Sequence, residues 1–121
     1  MALGISASAQ AYSGRTTKRI YPTGSEAALH TGAYYMSQAA LARNPKAKPY
    51  HASDMKIEKM GKTKAGTVTS TWTLLTKSIT PMGYPTARVT VKIKKLSDHK
   101  WKGYSNGKTT VSYFKTVSGG L

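Results

Sequence analysis

The stretch Arg88-Val89-Thr90-Val91-Lys92-Ile93-Lys94 constrains the fold more than any other part of this sequence. Every second side chain is a branched aliphatic, and each intervening one is polar or cationic. Side chains of an extended strand point alternately to opposite faces, so the pattern calls for a strand with one face in a core and the other in water. The segment from Thr67 to Leu74 makes the same demand. Val68, Ser70, Trp72 and Leu74 fall on one face, and Thr67, Thr69, Thr71 and Thr73 on the other. Such strands belong to an antiparallel sheet buried on one side only.

A half-buried sheet needs a cover, either a second layer of strands or the helix expected over residues 24–43. Thr23 and Glu26 have the spacing of a capping box, in which each side chain satisfies an amide of the first helical turn. Leu29, Ala33, Met36 and Ala40 then recur at helical spacing. Asn44-Pro45 ends the run, because proline has no amide for the helical ladder and biases its predecessor away from helix. Gly32 weakens the middle of this helix. Before it, residues 12–21 fit a short first strand. After it, Pro45-Lys46-Ala47-Lys48-Pro49 is an extended basic connector, and residues 54–60 fit either a strand or a helical turn.

The last strands are read as a hairpin around Asn106-Gly107. A three-residue loop, Ser105 to Gly107, pairs Tyr104 with Lys108 and brings Trp101 opposite Val111 on one apolar face; the buried face sets this register. Ser118-Gly119-Gly120-Leu121 is a tail. The expected fold is α+β and mainly β: an antiparallel sheet or open β-sandwich of four to five strands preceded by one helix.

The chain has 121 residues, enough for one domain. Residues 1–11, MALGISASAQA, are uncharged and end in Ala9-Gln10-Ala11, the A-x-A pattern of a signal-peptidase site. The expected division is therefore a signal-peptide remnant or tail over 1–11 and a single cationic domain over 12–121, secreted or at the cell surface. No run of about eighteen apolar residues exists to span a membrane. There is no cysteine, hence no disulfide and no thiol chemistry.

Catalytic constellations are thin. Glu26, Asp54, Glu58 and Asp98 are the acidic residues. Glu26 is accounted for by capping and Glu58 by its lysine neighbours. His51, Ser53 and Asp54 are triad residue types, but their adjacency reads as a polar turn, since a triad converges from separate segments. His30, His51 and His99 lack metal-ligand spacing. Gly61-Lys62-Thr63 resembles the end of a P-loop, yet Lys56 stands where its first glycine belongs. The chain is expected to be no enzyme and to use no cofactor or metal.

Charge points to a partner. Nineteen Lys and Arg oppose four acids, for a formal net charge of +15. Self-repulsion on this scale opposes folding, and an anionic partner offsets it. Lysine outnumbers arginine fifteen to four, which favours diffuse attraction over the bidentate readout of bases that arginine provides. The basic residues form two blocks, Lys46 to Lys64 and Arg88 to Lys108. Arg88, Lys92, Lys94, Lys100, Lys102 and Tyr104, with Lys62 and Lys64 of the glycine-bounded turn, are the candidate ligand-binding residues. Trp72 and Trp101 are assigned to the core, and Tyr34, Tyr35, Tyr84 and Tyr104 to the surface. The threonine face reads as ordinary solvated strand surface.

The expected function is a cationic binding protein that attaches to anionic envelope polymers or lipid through a lysine-rich β face, in an adhesive, surface-coat or antimicrobial role. The alternatives are a nucleic-acid-binding coat or packaging protein and a self-assembling structural subunit.

Overall fold

The computed structural model describes residues 9–13, 19–63, 65–77, 87–104 and 108–113. In chain order the elements are β1 (Ala9–Ser13), α1 (Gly24–Arg43), a 3-10 turn (Ala52–Asp54), β2 (Met55–Lys59), β3 (Thr69–Thr76), β4 (Ala87–Ser97), β5 (Lys100–Tyr104) and β6 (Lys108–Tyr113). The fold is α+β and mainly β, with one helix packed on one antiparallel sheet. The sheet runs β1-β6-β4-β3-β2, and β5 also pairs with β4. It has six strands, one more than the expected upper number, and β1 comes before the helix.

The helix spans the expected residues. The Thr23 hydroxyl accepts from the Glu26 amide at 3.1 Å, and the Asn44 amide closes the last turn on the Ala40 carbonyl at 2.9 Å. Residues 54–60 divide between both expected structures: the Asp54 carboxylate caps the 3-10 turn by accepting from the His51 amide at 2.8 Å, and β2 follows at once. The described first strand is 9–13 and overlaps the expected 12–21 at Tyr12 and Ser13; residues 14–18 lie outside the described residues, and Tyr21 forms an isolated bridge to Trp101.

The expected hairpin between β5 and β6 is not formed. Both strands pair with β4 and occupy successive stretches of its edge: Tyr104 faces Lys92 and Val111 faces Val89. Tyr104 therefore does not pair with Lys108, nor Trp101 with Val111. The hairpin sits one loop earlier, where Ser97 pairs with Lys100 across Asp98-His99. β4 has eleven residues, long enough to serve two short strands in turn. Its fully buried Val89 and Ile93 stand opposite Val111 of β6 and Gly103 of β5 in the register.

The core lies between α1 and the sheet. Met36 from the helix, Leu74 from β3 and Val89, Val91 and Ile93 from β4 are its largest fully buried apolar side chains. Burying each contributes on the order of 1.5–3 kcal/mol. The helix supplies mostly small residues, among them Ala27, Ala28, Ala33, Ala39 and Ala40, so the sheet fills the volume and the helix backbone comes close. A Cβ on Gly32 would lie 2.4 Å from Leu74 Cδ1, and one on Gly103 would lie 2.5 Å from Thr31 Oγ1. Gly32, a weakness by propensity, is what lets the helix sit this near the sheet.

Buried polar groups on this side are mostly paired. Trp72 Nε1 donates to Ser70 Oγ at 2.9 Å, and the Ala87 amide donates to Thr76 Oγ1 at 2.9 Å. The Tyr50 amide donates to Ser37 Oγ at 2.8 Å and ties the basic connector to α1. The Thr31 hydroxyl has no hydrogen-bond partner among the described residues.

The approach of Thr31 to Gly103 generates a stability prediction. Gly103→Ala overpacks the helix–sheet contact and lowers stability by about 1–3 kcal/mol. Thr31→Ala by itself costs at most about 1 kcal/mol, because loss of its buried methyl is offset in part by removal of an unsatisfied hydroxyl. Combined with Gly103→Ala it restores a large part of the loss. Thermal or urea unfolding of the three variants checks this, and strict additivity of the two changes contradicts it.

Candidate anion-binding face

Because α1 covers one face of the sheet, the alternating residues of each strand line the other. On β4 these are Arg88, Thr90, Lys92 and Lys94, and on β3 Thr69, Thr71, Thr73 and Leu75. On β2 they are Lys56 and Glu58, the neighbours of buried Met55. Gly103 is buried against Thr31 of the helix, so alternation carries Lys100, Lys102 and Tyr104 to the open face.

Register then brings residues of different strands into rows. One row is Thr69, Lys94 and Lys102; the next is Thr71, Lys92 and Tyr104. Rows follow one another at about 6.6–6.8 Å along the strands, and strands lie about 4.8 Å apart. Lys94 and Lys102 stand directly opposite each other, a like-charge pairing that destabilises a sheet. Lys92 is one row away. The Lys94 Nζ lies 5.6 Å from the centroid of the Tyr104 ring, which partly offsets the crowding.

Acids are kept to the margins of this face among the described residues. Glu58 receives Arg88 in a two-pronged contact, Nε to Oε1 at 2.7 Å and Nη2 to Oε2 at 2.8 Å. That hydrogen bonding holds the Glu58 carboxyl below the usual carboxylate range and raises the Arg88 guanidinium. Asp98, in the β4–β5 turn, lies 3.5 Å from Lys95, whose Nζ also sits 5.4 Å from the centroid of the Trp101 ring.

The candidate residues are thus partly gathered. Lys92, Lys94, Lys102 and Tyr104 form one cluster, and Lys100 extends it at the hairpin end. Arg88 shares the face, but its charge is offset by Glu58. Lys62 lies beyond β2 and lines an open depression of about 550 Å³ with Lys59, Thr67, Thr69 and Thr71, the last two of which belong to the lysine rows. Lys64 lies outside the described residues, as do Tyr84 and the side chain of Lys108. Trp72 is in the core as expected, and Trp101 is half-buried against it. Tyr35, assigned to the surface, is 3% exposed beneath α1; Tyr34, next to it, points outward.

Two threonines also lie in these rows. Thr69 and Thr71 share their rows with lysines, so their hydroxyls offer hydrogen bonds beside the cations. The period-two pattern places them on a water-facing side. Their lysine neighbours follow only from the β3–β4 register.

His51 and Asp54 meet through a backbone cap, and the His30 ring stacks on Tyr21 at 4.7 Å between centroids. Among the described residues no three His, Asp or Glu side chains gather as metal ligands, and no helix is long and apolar enough to cross a membrane. Comparison with protein families, with curated proteins and with solved structures finds no match to this chain.

The Glu58–Arg88 pair generates a pH prediction. With its carboxyl depressed, Glu58 contributes stability that is present at neutral pH and lost as the pH falls through the lowered value. The pair is exposed, so the loss is small. In Arg88→Gln the Glu58 carboxyl returns upward toward the ordinary range, which an NMR titration of that carboxyl follows; an unchanged midpoint contradicts the assignment.

Proposed function

We propose that this protein is a non-enzymatic binder of linear, phosphate-bearing polymers, which it holds across the open face of the sheet over Lys92, Lys94, Lys102 and Tyr104. The observation that carries this reading is the opposition of Lys94 and Lys102, with Lys92 one row away and the nearest acids at the margins. In the free protein such neighbours repel. An anion laid between them turns that cost into attraction and releases the counterions of both partners. Thr69 and Thr71 add neutral donors beside the cations.

Nucleic acid is the first candidate polymer. Tyr104 is half-buried and set beside Lys94, the combination of aromatic platform and basic groove that holds single strands without sequence preference. The predominance of lysine fits contacts to the backbone rather than to base edges. Anionic envelope polymers of the teichoic type are the second, since they present phosphate to the same lysines and need no stacking. Attachment at a cell surface, with an adhesive or antimicrobial role, belongs to this second reading and rests on the Ala9-Gln10-Ala11 motif. Cleavage before Tyr12 would remove Ala9, Gln10 and Ala11 from β1, so the intact mass of the protein from its native source tests export directly.

Binding to a labelled single-stranded oligonucleotide and to a teichoic-type polymer, each over a range of salt, tests the reading. Both should weaken as salt rises. For nucleic acid, Lys92→Gln/Lys94→Gln/Lys102→Gln should reduce the slope of log affinity against log salt by about 2, at roughly 0.7 for each single-strand phosphate that the variant leaves unneutralised. An unchanged slope in that variant removes the face from the proposal. Tyr104→Ala should weaken the oligonucleotide at least about fivefold, the low end of a stacking contribution, and leave the teichoic polymer unaffected. Equal behaviour toward both polymers transfers the assignment to the envelope reading. Glu58→Gln, which removes the carboxylate that offsets Arg88, should strengthen binding to either polymer.

A further inference from the structure

The edges of the sheet are protected unequally. A strand edge presents unpaired amides and carbonyls that recruit another chain unless charge, a bulge or a cover prevents it. At one end of the sheet β2 carries Lys56, Glu58 and Lys59, and its pairing with β3 shifts register between Ile57 and Lys59. The outer side of β5 is covered at its middle. The Tyr21 amide donates to the Trp101 carbonyl at 2.7 Å, and the Trp101 amide donates back to the Tyr21 carbonyl at 2.8 Å. At the other end, β1 shows none of these devices among the described residues. Ala9-Gln10-Ala11-Tyr12-Ser13 holds no charge and no proline, and it pairs with β6 over five residues without a shift.

Charge selects the partner. A chain of net charge +15 repels its own copies through most of its surface, and the first fourteen residues carry no charged side chain. β1 is therefore an edge where two copies approach with little repulsion. We propose that β1 is a self-association edge, and that two copies pair β1 to β1 in antiparallel fashion about a two-fold axis.

That axis stands perpendicular to the sheet, as it does for any antiparallel strand pair. The two sheets join edge to edge, both helices lie on one side, and both lysine faces lie on the other. The contact is isologous and closes at two copies. A β1-to-β2 contact would be head-to-tail and would repeat, and it would have to match a continuous strand to a bulged, lysine-bearing one. The β1 dimer involves a different surface from the lysine face, but it needs Ala9, Gln10 and Ala11, so cleavage before Tyr12 would abolish it. Its salt dependence has the opposite sign: screening weakens repulsion between the copies, so salt favours the dimer and disfavours polyanion binding.

Sedimentation velocity on the full chain, at rising concentration and at low and high salt, tests the proposal. The expected result is a concentration-dependent shift from chain mass to twice chain mass, promoted by salt. A monomer under every condition overturns it, and so does growth beyond the dimer. Gln10→Lys/Ala11→Lys puts a lysine on each face of β1 and should hold the protein monomeric with an unchanged far-ultraviolet circular dichroism spectrum. Lys56→Thr/Lys59→Thr at the opposite edge should leave the dimer as it is. If the first variant fails to fold, cysteine substitution decides. The chain has no cysteine of its own, so single cysteines placed in turn at 9 to 13 report only new contacts. Across a two-fold strand pair only positions near the centre approach their own copies at the Cα separation of about 5.5 Å that a disulfide needs. Cross-linking confined to one or two neighbouring positions supports the pairing; its absence at all five, or equal yield at all five, refutes it.

Discussion

Everything else in this molecule depends on the contact between α1 and the middle of the sheet. The helix brings few large side chains to it. Alanine and glycine let its backbone settle onto Leu74, Val89 and Gly103, and the strands provide the bulk. A sheet covered so closely on one side has two unlike surfaces. Since successive strand residues alternate, every side chain excluded from the core is delivered to the opposite face. The lysine face is the necessary complement of the core.

Electrostatically that face is unbalanced by arrangement as well as by count. Glu58 and Asp98 each meet a cation, at the β2 margin and in the β4–β5 turn, while Lys92, Lys94 and Lys102 stand together between them. A sheet selected for stability alone gains from setting unlike charges across a strand pair, and like charges there cost a few tenths of a kcal/mol up to about 1 kcal/mol. The cost is small beside the burial of Val89, Val91 and Ile93, so the core can carry it. This explains how the face is tolerated.

Much of this was legible in the residues. The β4 alternation placed Arg88, Lys92 and Lys94 on one surface, and the capping threonine and Asn44-Pro45 marked the helix limits, because both signals act within a few residues of chain. The errors lie where distant segments compete. Asn106-Gly107 is a local sign of reversal, and Trp101 opposite Val111 is a sound apolar pair on paper. β5 and β6 instead both pair with β4, whose Val89, Val91 and Ile93 lie in the core. Between Lys92 and Thr90 it advances two residues while its partner chain advances six, from Tyr104 to Thr110, and Asn106-Gly107 falls within that surplus. Tyr35 departs from expectation for a related reason: helical spacing does not say which of two adjacent tyrosines faces a sheet until the sheet is there.

The sequence by itself determined that one strand face would be apolar and the other basic, that one helix would precede the main strands, and that the chain would carry a large positive charge. These follow from periodicity and composition, which are properties of short stretches or of the whole sum. Tertiary structure alone decided that Lys94 would face Lys102, that Thr69 and Thr71 would join the lysine rows, that Glu58 would occupy Arg88, and that β1 would be the end strand of the sheet among the described residues. Those are matters of register and strand order, fixed by whichever long-range pairing buries the most apolar surface.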